Sequence, residues 1–155
     1  MRNETFCKMT NQLVFDMTIA QRNIHVVHWN LQAESFIFLH DYLGELYTTL
    51  VQYLDETAEQ LRFKQEYASA KLSTCLKKTL IQEIETRSPI SHQEAIEIVS
   101  ANIRYLKALT NDIITYADTH ELWDSVDVFT AHTVYYSKVL YFLESSKPES
   151  MSYKR

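Results

Sequence analysis

Glycine is almost missing from this chain: its 155 residues hold one, Gly44, alongside two prolines, Pro89 and Pro148. Sheet proteins draw on glycine at tight turns, so the shortage points to long helices joined by few reversals. A GxGxxG or Walker-type phosphate loop is excluded outright. Cysteine is scarce as well. Cys7 and Cys75 make neither a disulfide framework nor a zinc-ligand spacing and read as reduced thiols. No apolar run approaches the length of a bilayer and none follows a basic start, so the expected setting is cytoplasmic, without a membrane partner. Positive charge is also short. The formal net charge is −5, and the basic residues at the ends (Arg2, Lys8, Lys147, Lys154, Arg155) read as solubility and helix-end electrostatics. DNA binding is therefore expected to be absent or weak.

Apolar residues recur at spacings of three and four in four long stretches. The first runs Leu13, Met17, Ala20, Ile24, Val27, Leu31, and the second Phe36, Leu39, Leu43, Leu46, Leu50, Tyr53, Thr57, Leu61. Residues 32–35 leave room only for a tight reversal, with Ser35 a candidate N-cap, so these two helices should form an antiparallel hairpin. Leu72, Cys75, Leu76 and Leu80 suggest a short helix in a less regular segment over 65–87, which Pro89 ends. Ser91 and Glu94 form a capping box. The third stripe runs Ile96, Val99, Ile103, Leu106, Ile113, Ala117. The fourth runs Leu122, Val126, Phe129, Thr133, Tyr136, Leu140, Leu143, stopped at Lys147–Pro148. The expected fold class is all-α: a ferritin-like four-helix bundle with a short extra helix between helices two and three. One domain over 1–155 is expected, with helices at roughly 5–32, 36–63, 92–117 and 121–146.

A di-iron site inside one such bundle uses Glu-x-x-His motifs, which put carboxylate and imidazole on one helix face. All six histidines fail that test, because Arg22, His25, Ile37, Pro89, Ala117 and Phe129 stand three residues before them. A different set of donors is present. His28 and His40 lie about equally far from the reversal, so a hairpin brings them together. Asp55 and Glu59 share the His40 face of helix two, offset from the leucine stripe. His40 and Asp55 are fifteen residues apart, roughly 22 Å of helix. A metal ion needs its ligands about 2 Å away, so the two pairs cannot share an ion within one chain. A second copy packed antiparallel about a two-fold axis would create two equivalent sites per dimer. Imidazoles with two carboxylates suit iron or zinc better than calcium or magnesium.

At these residues the sequence resembles the Dps family, the bacterial mini-ferritins. That family carries His-Trp-Asn, a second His twelve residues after the first, an acid four later, then Asp and Glu further on. Here stand His28-Trp29-Asn30, His40, Asp55 and Glu59 at matching spacing. The run Asn23-Ile24-His25-Val26-Val27 and the final helix, from Asp127 through Lys138 to Glu144, are also similar to the family's. The resemblance implies a homo-oligomer of two-fold dimers closed into a hollow dodecamer, with His28, His40, Asp55 and Glu59 as metal ligands and catalytic residues. It implies a ferroxidase that oxidises Fe²⁺ with peroxide, stores Fe³⁺ and protects against oxidative stress, with zinc as a surrogate for iron. Trp29, Tyr42, Tyr47 and Tyr53 are candidate radical quenchers or plain aromatic packing, and Asp124 and Asp127 candidate pore acids or solvated ones. The chain departs from the family at Gly44, where an acid is expected, and at Ala33-Glu34, where Gly-Pro is usual. Gly44 reads either as drift after a lost site, leaving a ferroxidase-impaired cage with a metal-binding or structural role, or as room for water, a neighbouring chain or a differently bound metal.

Overall fold

A computed structural model of the chain describes residues 3–147. It holds five helices: α1 (Glu4–Asn30), α2 (Phe36–Phe63), α3 (Leu72–Lys78), α4 (His92–Thr119) and α5 (Trp123–Ser145). Helices α1 and α2 form one antiparallel hairpin and α4 and α5 another. The hairpins pack α1 on α4 and α2 on α5, with α3 outside against α1. This is the ferritin-like bundle with one long crossover. Among the described residues the sole strand-like pairing is an isolated bridge between Leu31 and Ile90. No described helix is long and apolar enough to cross a membrane. Pro148, Arg2, Lys154 and Arg155, singled out above, lie outside the described residues.

The stripes of α1 and α4 are buried throughout, as are Leu39, Leu43, Leu46, Leu50 and Leu61 of α2. Three helix ends match expectation and the other five differ by one or two residues. α1 stops at Asn30 because Leu31 turns extended (ψ 133°) to meet Ile90. α5 starts at Trp123 because Glu121 takes a left-handed φ of 58°. Gln65, beyond α2, does the same at φ 62°. At both ends the following amide returns to a carbonyl five residues back, Glu66 N–H to Leu61 at 2.9 Å and Leu122 N–H to Ala117 at 2.9 Å. These are the helix stops that usually place glycine at the left-handed position, carried here by Gln and Glu at a cost of about 1 kcal/mol each.

The Ser91–Glu94 capping box forms in full. Ser35 stands at the N-cap of α2 but makes no side-chain cap. Its Oγ instead pairs with His92 Nδ1 at 2.6 Å, and His92 Nε2–H donates to the Ser146 carbonyl at 2.7 Å. One imidazole thus ties the starts of α2 and α4 to the end of α5. In α3 only Cys75 is buried, while Leu72 and Leu76, and Leu80 just beyond the helix, face outward. Seven residues offer one face to α1, and that face is narrower than the leucine spacing suggests.

The chain between α3 and α4 has no regular structure, yet α1 holds it at three heights. Buried Asp16 accepts from Thr79 Oγ1–H at 2.8 Å, Leu80 N–H at 2.7 Å and Tyr105 O–H at 3.1 Å. Buried Asn23 donates to the Gln82 carbonyl at 2.9 Å and accepts from Ile84 N–H at 3.0 Å. The Asn30 carbonyl accepts from Ile90 N–H at 2.8 Å. Side chains here satisfy a backbone that no ladder satisfies.

Candidate metal centre

The hairpin brings His28 and His40 into direct contact. Their rings stack with centroids 3.8 Å apart and planes 16° apart. His28 Nδ1–H donates to the His40 carbonyl at 2.9 Å, and His40 Nδ1–H donates to the His28 carbonyl at 3.0 Å. A carbonyl only accepts, so both Nδ1 atoms carry the proton and both Nε2 atoms keep an open lone pair. The His28 carbonyl lies in the last turn of α1, where helix carbonyls have no partner in their own helix, so His40 also supplies a C-terminal contact. Orienting an imidazole through its other nitrogen is how metal-binding histidines are held.

Gly44 abuts this pair. A Cβ at position 44 would lie 3.3 Å from His28 Cε1 and 3.8 Å from His28 Nδ1. The first distance is tighter than nearly all real contacts of that kind. The room left by the missing side chain is therefore taken by the imidazole of the same chain. α2 runs unbroken through Gly44, so Asp55 sits roughly 22 Å and Glu59 roughly 28 Å up the helix from His40. Both acids are exposed, one turn apart, and neither makes a hydrogen bond or ion pair among the described residues. The structure thus joins His28 to His40, sets Asp55 beside Glu59, and keeps the pairs apart. Among the described residues no three His, Cys, Asp or Glu groups converge as a metal cluster within the chain.

Rings extend from the pair in both directions. Phe36 stacks on His40 at 4.8 Å, and His25 lies 5.7 Å from His28. His25 is held between Trp29 and Tyr47, each 3.9 Å away. Burial, then the charges of His28 and Arg22, hold the His25 imidazole below its ordinary range. Trp29 is more than half exposed, and Arg22 lies over its ring at 5.8 Å. Of the tyrosines, Tyr47 alone joins this series. Tyr42 packs on Phe142 and Tyr53 on His132. Burial, with Tyr135 and Glu45 nearby, pushes Tyr42 up to about 12. Asp124 is engaged through both oxygens by Lys64 Nζ, at 2.9 and 2.8 Å, so its charge is offset at once; Asp127 is exposed.

The sequence reading passed over one polar group in the core. His132, 0% exposed, donates from Nε2 to Glu56 Oε2 at 2.7 Å, and Tyr53 stacks on its ring at 3.9 Å. Its Nδ1 and the Tyr136 hydroxyl have no hydrogen-bond partner among the described residues. Burial holds His132 below the ordinary imidazole range, against the opposing pull of Glu56. Burial pushes Glu56 up, but hydrogen bonds from His132 and Gln52 leave it below the usual carboxylate value. The signal was available: 132 lies on the buried stripe between Phe129 and Tyr136. The partner acid comes from another helix, which a motif test on one helix cannot see.

No family model matches the chain. It is 30% identical over 111 residues to an uncharacterised protein of Haemophilus influenzae, covering 70% of this chain and 66% of that protein. It is 26% identical over 137 residues to a DNA protection during starvation protein of Streptococcus suis, covering 87% of this chain and 78% of the relative. Among solved structures, the Vibrio cholerae Dps protein, described as belonging to a broad superfamily of ferritin-like diiron-carboxylate proteins, superposes with a TM-score of 0.87 at 20% identity. That match covers 93% of this chain and 89% of that one. The Staphylococcus aureus Dps superposes at 0.85 with 24% identity, over 93% and 95%.

Proposed function

We propose that the chain, similar to Dps proteins in sequence and fold, is a member of that family: an iron-binding, iron-storing subunit with its metal site between two copies. The observation that carries this reading is the reciprocal His28–His40 contact, which leaves two Nε2 atoms open while two unpartnered carboxylates wait on the same helix. An antiparallel two-fold dimer lays the imidazoles of one copy against Asp55 and Glu59 of the other. Such dimers would close into a dodecameric cage, a cytoplasmic homo-oligomer.

Iron is the substrate and cargo. The carboxylates neutralise the incoming Fe²⁺ and favour the higher charge of Fe³⁺, while the imidazoles hold the ion at fixed orientation. Two Fe²⁺ ions give one electron each to a peroxide, which takes up two protons and leaves as two waters. The Fe³⁺ is stored in the cavity. Removing Fe²⁺ and peroxide together suppresses hydroxyl-radical chemistry, which makes this a protein of oxidative-stress protection. Zinc, with the same preference for imidazole and carboxylate, would act as a surrogate.

Gly44 favours a second reading, a cage that binds metal but oxidises iron poorly. Fe²⁺ oxidation followed with and without peroxide separates the two. A ferroxidase loses at least about 10-fold in rate in the Asp55→Ala/Glu59→Ala double variant. Equal, slow rates in wild type and variant leave the second reading standing.

A further inference from the structure

Resting on that reading of the site, we infer that each inter-subunit centre takes a single divalent cation, not a pair, and that Gly44 is the residue that sets the count. Position 44 is one turn beyond His40 and faces the His28 ring at Cε1, the carbon between the two ring nitrogens. The nearer ring nitrogen is Nδ1, 3.8 Å from such a Cβ, so a side chain there would have to extend past Cε1 to reach the edge that carries the open Nε2. It is the position from which a carboxylate of the same chain would reach an ion on that edge, and glycine supplies nothing.

The neighbouring groups do not replace it. Glu45 is exposed and lies about 100° around the helix from Gly44. Asp41 is exposed and lies about 100° around the helix from His40. The His25 ring is packed between the tilted rings of Trp29 and Tyr47. The Asn30 amide donates to the Val26 carbonyl at 2.8 Å.

Charge then fixes the number. Asp55 and Glu59 carry two negative charges, which balance one divalent ion. A second ion would find no further carboxylate and would leave two positive charges uncompensated beside half-buried imidazoles. Glycine also serves the first ion. With a Cβ at 44 the His28 ring has to shift by a few tenths of an ångström, and the paired hydrogen bonds that orient both rings loosen. The same missing side chain seats the histidines and removes the second site.

The test is Co²⁺ binding to the metal-stripped, assembled protein by calorimetry and equilibrium dialysis, counting the ions that the Asp55→Asn/Glu59→Gln double variant loses. One such ion per chain is expected. Two such ions per chain in wild type overturn the inference and leave the inter-subunit reading intact. No ion lost in the double variant removes the reading and the inference with it. Gly44→Asp, checked for helix content by circular dichroism, should raise the count to two. A folded Gly44→Asp protein still at one overturns the role of Gly44, and if that variant does not fold, the wild-type count decides alone.

Discussion

His28 and His40 commit their Nδ1 protons to each other's backbone carbonyls and leave Nε2 open. His132 commits Nε2 to Glu56 and is left with a buried Nδ1 that no described residue reaches. At the hairpin the main chain orients the rings, so the side chains stay available to something from outside. In the bundle core a side-chain carboxylate and the stacked Tyr53 hold the ring, and nothing outside can approach it. Imidazoles in the same bundle are thus left with an open nitrogen in one place and committed to helix packing in the other. Their hydrogen-bonding partners, more than their residue type, mark the difference.

The contrast breaks most visibly at His132. His132→Ala leaves a cavity between α2 and α5 and strips Glu56 of one of its two donors, so urea unfolding should report a loss of about 3 kcal/mol. The cobalt count should not change; a variant of unaltered stability that loses cobalt would reverse the assignment of the two places. His40→Ala should do the opposite: about 1 kcal/mol of stability for the lost hydrogen bond, and loss of cobalt binding in the same calorimetric titration. The smallest effect is on pH dependence. Burial holds His132 below its ordinary value of 6.5. As pH falls below about 6.5 the unfolded chain takes a proton that the folded chain refuses, and stability declines toward the lower folded value. Glu56, held below 4.5, contributes in a different window: its stabilisation is present above about 4.5 and is lost as pH falls through its depressed folded value. Between about pH 7.5 and 5.5 the wild-type urea midpoint should therefore drop, and that of His132→Gln should drop less. Equal drops would move the effect to His25, whose imidazole is also held low.

Much of this architecture could be read from spacing. A stripe at intervals of three and four defines a buried face whatever the loops do, and the stripes of α1 and α4 are buried to the last residue. The meeting of His28 and His40 followed from their equal distance to the reversal. What spacing could not supply was every contact made between helices by polar side chains. Asp16, Asn23 and His132 look like surface residues by type, yet each is buried because a partner distant in sequence satisfies it. The outward leucines of α3 were illegible for the opposite reason, since a seven-residue helix has too few turns for its pattern to single out a face. Gly44 was visible as an anomaly, but the ring packed against it is a contact that only the folded hairpin provides.

The three anchors on α1, Asp16, Asn23 and the Asn30 carbonyl, are seven residues apart, about 10.5 Å of helix per interval. Between Leu80 and Ile84 the connecting chain has four residues to cover that interval, at most about 13 Å when stretched, which leaves it little spare length. Between Ile84 and Ile90 it has six, about 20 Å of reach over the same rise, and so carries slack. The crossover is in effect a tape pinned to a ruler, tight over one division and loose over the next. Deleting one residue within 81–83 should pull a pin free and lower the melting temperature. Two or three residues inserted between Glu85 and Ser88 should be absorbed without moving α4, which makes that bow the place where the chain can lengthen at least cost.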